Sequence, residues 1–230
     1  MNTPIDRQVP CLLAALALLA CAAPSRSADA PIRFQATPKD SLVLIQGTST
    51  LHDWEMKGPI ISGFVEFPPG VRFDTNQTTL PGLKDGKLPA TVKASIPVRT
   101  IRSEADVRPE YMERLMQEAM KETNFARIEY RAAELVMQTP HAPGQPFAFD
   151  VQGDLAIAGV TNKVAFPVTI LPVEPDKIKI HGQAKLKMTA YGVTPPAPNF
   201  GLGLMKCGDD IIIIFDWTLQ QKPPAPAAAK

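Results

Sequence analysis

The run "KIKIHGQAKLKMTA", residues 177–190, limits the fold more than any other part of the chain. Ile178, Ile180, Gly182, Ala184, Leu186, Met188 and Ala190 share one side of an extended strand; Lys177, Lys179, His181, Gln183, Lys185 and Lys187 share the other. Such strict alternation requires water on one face and apolar surroundings on the other, as in an antiparallel sheet. A period of two would scatter both sets around a helix, so an amphipathic helix is excluded here.

Comparable segments recur. The sequence predicts strands over 41–50, 60–67 (broken by Gly63), 91–101 with Val92, Ala94, Ile96 and Val98 on one face, and 125–137 with Ile128, Tyr130 and Ala132 alternating. Residues 147–158 and 160–171 read as a hairpin about Gly159, and 210–219, "DIIIIFDWTL", as an apolar closing strand. Residues 71–87 are polar and turn-rich and read as a long loop. One segment changes period. In "RPEYMERLMQEAMKE", Pro109 suits the first position of a helix; Met112, Leu115, Met116 and Ala119 then fall at helical spacing, with Glu110, Glu113, Glu118 and Glu122 on the wet side. The Met-rich stripe packs on the sheet in the plainer reading and touches a ligand in the other.

About eight strands and one inserted helix define an all-β fold. An open sheet that large curls, and closure removes its edges, so a closed antiparallel eight-stranded barrel is expected. Eight strands leave an interior that side chains fill or that holds one apolar ligand. The small inward residues Gly182, Ala184 and Ala190 favour the hollow form. At 230 residues and 45% apolar, the chain can bury such a core, and a formal charge of +1 without a basic stripe argues against nucleic acid as a partner.

The ends are expected to lie outside the barrel domain, set at 28–220. Arg7 followed by the apolar run 11–23 and the small residues of "APSRSADA" predicts a signal peptide over 1–27, cleaved after Ser27, and hence a periplasmic or secreted protein. The apolar run is shorter than the roughly 20 residues a spanning helix needs. Leu18-Leu19-Ala20-Cys21 also reads as a lipobox, which would anchor the protein to a membrane through lipid on Cys21. The Pro/Ala-rich tail 221–230 is expected to be disordered. Once 1–27 is removed, Cys207 stands alone or with a lipidated Cys21, so no disulfide framework is expected.

The stretch "GTSTLHDWE", 47–55, places Ser49, His52 and Asp53 close together. Neighbours on a strand point to opposite faces, so Asp53 is poorly placed to orient His52, and no Gly-x-Ser-x-Gly elbow occurs. The expectation is structural: Trp54 fills one barrel end while His52 and Asp53 satisfy backbone groups. His52, His141 and His181 are scattered without metal-ligand spacing, so neither metal nor cofactor is expected and the chain does not read as an enzyme. The segment "YGVTPPAPNFGLGLMKCGDD" reads either as a rigid connection or as a rim, with Phe200, Leu202, Leu204 and Met205 over an apolar mouth.

Taken in order, "GTSTLHDWE", "GDLAIAGVTNKVAFPV" and "KLKMTAYGVTPP…GDDIIIIFDWTL" resemble the successive motifs of the YceI-like family, over about 41–219. The resemblance implies an exported lipocalin-like barrel whose lumen takes a polyisoprenoid or similar lipid without catalysis, and it places the helix in the family's insertion; the 71–87 loop and the tail have no counterpart. The family motifs do not define the lining. Strand alternation nominates Val164, Phe166, Val168 and Ile170, then Ile178, Ile180, Ala184, Leu186 and Met188, then Ile213, Phe215 and Trp217. Trp54 joins the rim, and Arg99, Arg102 and Arg108 are candidates for an anionic head group. The function expected is a carrier or sequestering protein for one long apolar ligand. The alternative is a structural or stress-related envelope protein with a filled barrel, and after it a hydrolase using His52 and Asp53.

Overall fold

In a computed structural model describing residues 30–37, 39–138, 141–197 and 206–223, the alternating segments form one antiparallel sheet wrapped on itself. Its strands are β1 (Ile32–Ala36), β2 (Leu42–Ser49), β3 (Trp54–Gly58), β4 (Ser62–Phe67), β5 (Lys87–Pro97), β6 (Arg102–Ser103), β7 (Arg127–Met137), β8 (Phe147–Ile157), β9 (Val160–Glu174), β10 (Lys177–Lys187) and β11 (Cys207–Gln221). The helix α1 (Pro109–Ala119) lies between β6 and β7, with Pro109 at its start.

The ring runs β1-β4-β5-β7-β8-β9-β10-β11 and closes where β11 pairs with β1, Ala36 opposite Leu219 and Phe34 opposite Gln221. The three remaining strands lengthen staves of this ring. β2 continues beyond β1 along β11, β3 pairs with β2, and β6 pairs with β3. The result is the expected closed barrel of eight staves, of which β1/β2, β4/β3 and β5/β6 are each broken in the middle. The short strands β1, β3 and β6 are absent from the sequence reading because none is long enough to display a period.

Several details differ from expectation, each for a local reason. Gly63 does not break its strand. At φ 126° it lets β4 lie against β5, where a Cβ would fall 1.9 Å from the Lys93 carbonyl oxygen. β5 ends at Pro97, and Val98 opens a 3-10 turn while staying fully buried. β10 stops at Lys187, short of the predicted 190, because the chain turns through a 3-10 segment at Thr189–Tyr191. Asp209 holds that turn, accepting the Thr189 N–H at 2.8 Å and its hydroxyl at 2.7 Å, and these donors hold the carboxyl below its ordinary range. Ala190 is consequently exposed rather than inward. β11 runs on to Gln221, into the predicted tail, and that extension helps to close the ring.

The barrel's ends differ. One is solid: Phe34, Phe67, Phe73 and Phe147 form a chain of edge-on rings with centroids 5.0–6.0 Å apart, and Leu88, Ile170 and Leu219 beside them are fully buried. The predicted loop over 71–87 is part of this plug, because Val71 and Leu80 are buried while Phe73 and Leu83 pack on the core. His141 completes it, stacked 4.1 Å from Phe147. The other end is roofed by α1.

Candidate functional site

Between the plug and the helix lies the lumen. Its inner chamber is a cavity of about 110 Å³, walled by Val65, Val92, Leu135, Val151, Phe166, Val168, Ile180, Ala184, Phe215, Trp217 and their neighbours. The outer chamber is a cavity of about 80 Å³ and is lined by Met56, Ile101, Ile157, Met188, Tyr191, Val193 and Cys207, with Met112, Leu115, Met116, Ala119 and Met120 from α1 and the turn after it. Three isoleucines border both chambers: Ile45, Ile128 and Ile213. Ile45 and Ile213 are cross-strand partners, while Ile128 lies on β7 across the ring. They form the partition, a waist, between the two adjacent apolar chambers.

The waist and the roof have simple sequence causes. Alternation turns Ile128 and Tyr130 inward on β7, and Ile213, Phe215 and Trp217 inward on β11. On α1, the i, i+4 pair Met112 and Met116 meets the channel; no residue of the helix is fully buried, so the roof is held loosely. Two ion pairs pin it from the side. Arg99 meets Glu122 at 3.0 Å, and Arg102 lies 3.7 Å from Glu113, whose carboxylate also accepts the Ser103 N–H at 3.2 Å. Arg108 precedes the helix in a left-handed conformation, φ 52°, and is exposed. The first two arginines are thus engaged by carboxylates that carry the helix.

Of the residues nominated from alternation, Phe166, Val168, Ile180, Ala184, Phe215 and Trp217 border the inner chamber, Met188 the outer, and Ile213 both. Ile170 and Ile178 face inward but lie in the packed cluster of the solid end. Val164 and Leu186 pack against the cluster of the helix end and line neither chamber. Gly182 is inward yet leaves no space, since a Cβ there would fall 2.5 Å from the Phe215 ring that covers it. Phe200, Leu204, Met205 and Cys21 lie outside the described residues. The waist isoleucines Ile45 and Ile128 were not nominated, because only closure of the ring makes the inward set of every strand a wall of the same cavity.

The stretch 47–55 is a hairpin turn. The Ser49 hydroxyl donates to the His52 carbonyl at 2.6 Å and receives the N–H groups of Leu51 and His52, while His52 Nδ1 meets the backbone carbonyl of Asp53 at 2.8 Å. No Ser–His–Asp relay is assembled. Trp54 donates from Nε1 to the Thr48 carbonyl at 3.0 Å and lies flat over Gly47, where a Cβ would come within 2.2 Å of the ring. It forms a side of the mouth. Outside it a groove shares Trp54, Met56 and Met112 with the outer chamber and carries Asp53, Glu55, Glu104, Asp106 and Asp210. Lys187 pairs with Asp210 at 2.8 Å and Lys57 lies 3.9 Å from Glu104, so the groove's unmatched carboxylates are Asp53, Glu55 and Asp106.

Within the lumen the polar groups are few. The Cys207 thiol is half-buried, and desolvation pushes its pKa up. The Tyr191 hydroxyl is also buried and raised; Asn162 lies near it but donates to the Ala190 carbonyl at 2.8 Å. Desolvation, with a lesser contribution from Asp154, raises the Tyr130 hydroxyl far more. No cluster of metal-ligating side chains occurs among the described residues.

A closed antiparallel barrel with an apolar, two-chambered interior under a helical roof is a lipocalin-like architecture, one with room for an apolar molecule. The chain belongs to the YceI-like family, whose model matches residues 45–219. Among solved structures it is similar to Burkholderia cenocepacia BcnA, at 14% identity and a TM-score of 0.56, covering 80% of this chain and 98% of that one. It is also similar to a polyisoprenoid-binding domain from Saccharophagus degradans implicated in plant cell wall breakdown, at 11% identity and a TM-score of 0.53, covering 83% and 98%. At these identities the likeness is one of fold. No curated protein matches the sequence.

Proposed function

We propose that this protein is an exported, non-catalytic binding protein that holds one long apolar molecule of the polyisoprenoid class inside its barrel, as a carrier or sequestering protein. The observation that carries the reading is the pair of adjacent apolar chambers stacked between the plug and α1, lined almost wholly by hydrocarbon. Burying each methylene there contributes about 0.8 kcal/mol, so chain length alone supplies affinity. The name of the Saccharophagus domain supports the same ligand class. Methionines at the roof suit an entrance that must re-pack as ligand passes.

The mouth argues for an uncharged ligand. An anionic head group there would face the acidic groove, and the nearest arginines are matched by Glu122 and Glu113. Export rests on the segment 1–27, and a lipid anchor on Cys21 is the alternative way of holding the protein at a membrane. The test is to isolate the protein from a cell envelope, extract it with organic solvent, and identify what is released by mass spectrometry. A stoichiometric prenyl lipid is expected. A lipid-free protein that also takes up no added polyprenol would leave only a structural envelope role.

A further inference from the structure

The open edge of β6 is held by a side chain instead of a strand. β6 pairs with β3 through Met56–Ser103 and Lys57–Arg102, and no strand among the described residues lies on its other side. The Glu104 N–H turns to the Glu55 carbonyl of β3 at 3.2 Å, so by alternation the Ser103 N–H points away from β3, where a free edge leaves it without a ladder partner. Glu113 of α1 takes that place: its carboxylate accepts the Ser103 N–H at 3.2 Å and lies 3.7 Å from Arg102. Helical spacing puts Glu113 on the wet side, yet its side chain is only 17% exposed. Of its two contacts the N–H bond to a carboxylate is the stronger kind, because Arg102 is 55% exposed and water screens the ion pair.

Three further features turn this contact into a latch. α1 lies closest to β6 and has no fully buried residue, so little else holds its first half. Arg108 and Lys121 bracket the helix at φ 52° and 53°, the left-handed region that residues other than glycine rarely adopt. Element ends of this kind absorb the backbone change of a hinge, and a return to ordinary dihedrals at either one would swing the helix. Met112, the neighbour of Glu113, is one of only three residues that border both the outer chamber and the groove, the others being Trp54 and Met56. We propose that Glu113 is the latch of a gate. Breaking its bond to Ser103 frees the first half of α1 to lift from β6, moves Met112 aside and opens the outer chamber onto the groove, through which the apolar ligand enters and leaves. This rests on the binding function proposed above and adds the route and the residue that controls it.

The experiment uses the delipidated protein, native and as Glu113→Ala, Glu113→Gln and Arg102→Ala, with geranylgeraniol as the probe. Amide hydrogen exchange, resolved by residue, needs no ligand. In Glu113→Ala the amides of Ser103 and α1 should exchange about tenfold faster, the loss of one hydrogen bond to a charged acceptor. Those of β8 and β9 should exchange as before and so report that the barrel is intact. Association and dissociation of geranylgeraniol, followed by stopped flow, should each rise about tenfold with the dissociation constant scarcely moved, because the latch is made in the free and the bound protein alike. Glu113→Gln keeps an oxygen for Ser103 and should act less; Arg102→Ala leaves that bond in place and should act least. A Ser103 amide still protected in Glu113→Ala, or ligand rates unchanged once it is released, would overturn the inference while leaving lipid binding in place. So would a weakened affinity with the association rate unaltered, which would make Glu113 a wall of the site and not its gate. Should the native protein bind no geranylgeraniol, the binding function itself would fail, and exchange at Ser103 and α1 would still decide whether Glu113 holds the helix.

Discussion

The two ends of this barrel close the same sheet by different means. At the solid end, aromatic rings interlock edge to face, His141 stacks on Phe147, and the 71–87 segment folds back to bury Val71 and Leu80. At the other, α1 covers the opening with methionines, has no fully buried residue, and is tied down by ion pairs that join exposed arginines to largely covered glutamates. Rigid, well-packed rings suit a permanent wall, and flexible thioethers suit a surface that re-packs. The helix end has a buried cluster of its own around Val98, Ile101 and Tyr191, but α1 lies on that cluster and not within it. On the binding function proposed above, α1 is the part that moves to admit a ligand.

The largest break in this comparison comes from the solid end. Phe147 is fully buried, and Phe147→Ala should destabilise by about 3–5 kcal/mol in denaturant titration. The paired replacement Met112→Ala with Met116→Ala, on a helix without fully buried residues, should cost clearly less while speeding ligand dissociation in a stopped-flow chase. Equal losses of stability at both ends would mean that α1 is part of the core rather than a roof.

Between the ends stands the waist. Ile213→Phe should narrow it without touching either closure. If chains reach the inner chamber only by this route, excluding even two methylenes from it costs about 1.6 kcal/mol, more than tenfold in affinity. A series of polyprenols of increasing length should then rise in affinity for the native protein and level off early for the variant, with the shortest member bound alike by both. A parallel loss at every length would show that the two chambers are not filled in sequence.

How much of this difference could be read in the sequence follows from what periodicity reports. β10 and the β8–β9 hairpin were legible because a long half-buried strand repeats its pattern many times, and α1 because its period is unlike theirs. The broken staves were not legible: β3 and β6 are too short to display a period, and their place is set by pairing with β2. The plug was missed because Val71, Phe73, Leu80 and Leu83 are strewn among turn residues with no spacing to mark them. Nor does alternation separate lumen from core. Val168 and Ile170 point the same way on β9, yet the first borders the inner chamber and the second the solid end. Depth along the barrel depends on register and on what covers each end, which are properties of the whole ring.

Tightening the mouth gives a smaller effect. Gly47→Val would drive a side chain into the Trp54 ring, which any Cβ at this position meets at 2.2 Å. Displaced from its bond to Thr48, Trp54 should swing toward solvent, seen as a red shift in its emission, with a loss of stability of about 1–2 kcal/mol, below that at Phe147. Gly82→Ala, in the loop of the solid end, would leave that emission unchanged.

The smallest effect is silent at neutral pH. Burial disfavours the phenolate of Tyr130, and the Asp154 carboxylate adds to this, so its pKa in the folded protein is well above the value near 10 of an unfolded chain. Above pH 10 the unfolded state therefore binds fewer protons than the folded one, and stability falls as pH rises, whereas below pH 10 both states hold the proton and the slope vanishes. Tyr130→Phe removes this dependence and leaves that of Tyr191, Cys207, Lys177 and Lys187, whose raised values act alike in both proteins. Denaturation midpoints measured from pH 7 to 11.5 should run parallel for the two proteins up to about 10 and then diverge, the native protein weakening faster. Parallel curves throughout would mean that water already reaches the Tyr130 hydroxyl, and the barrel wall where it lies against Gly153 would not be the dry packing that contrasts with the mouth.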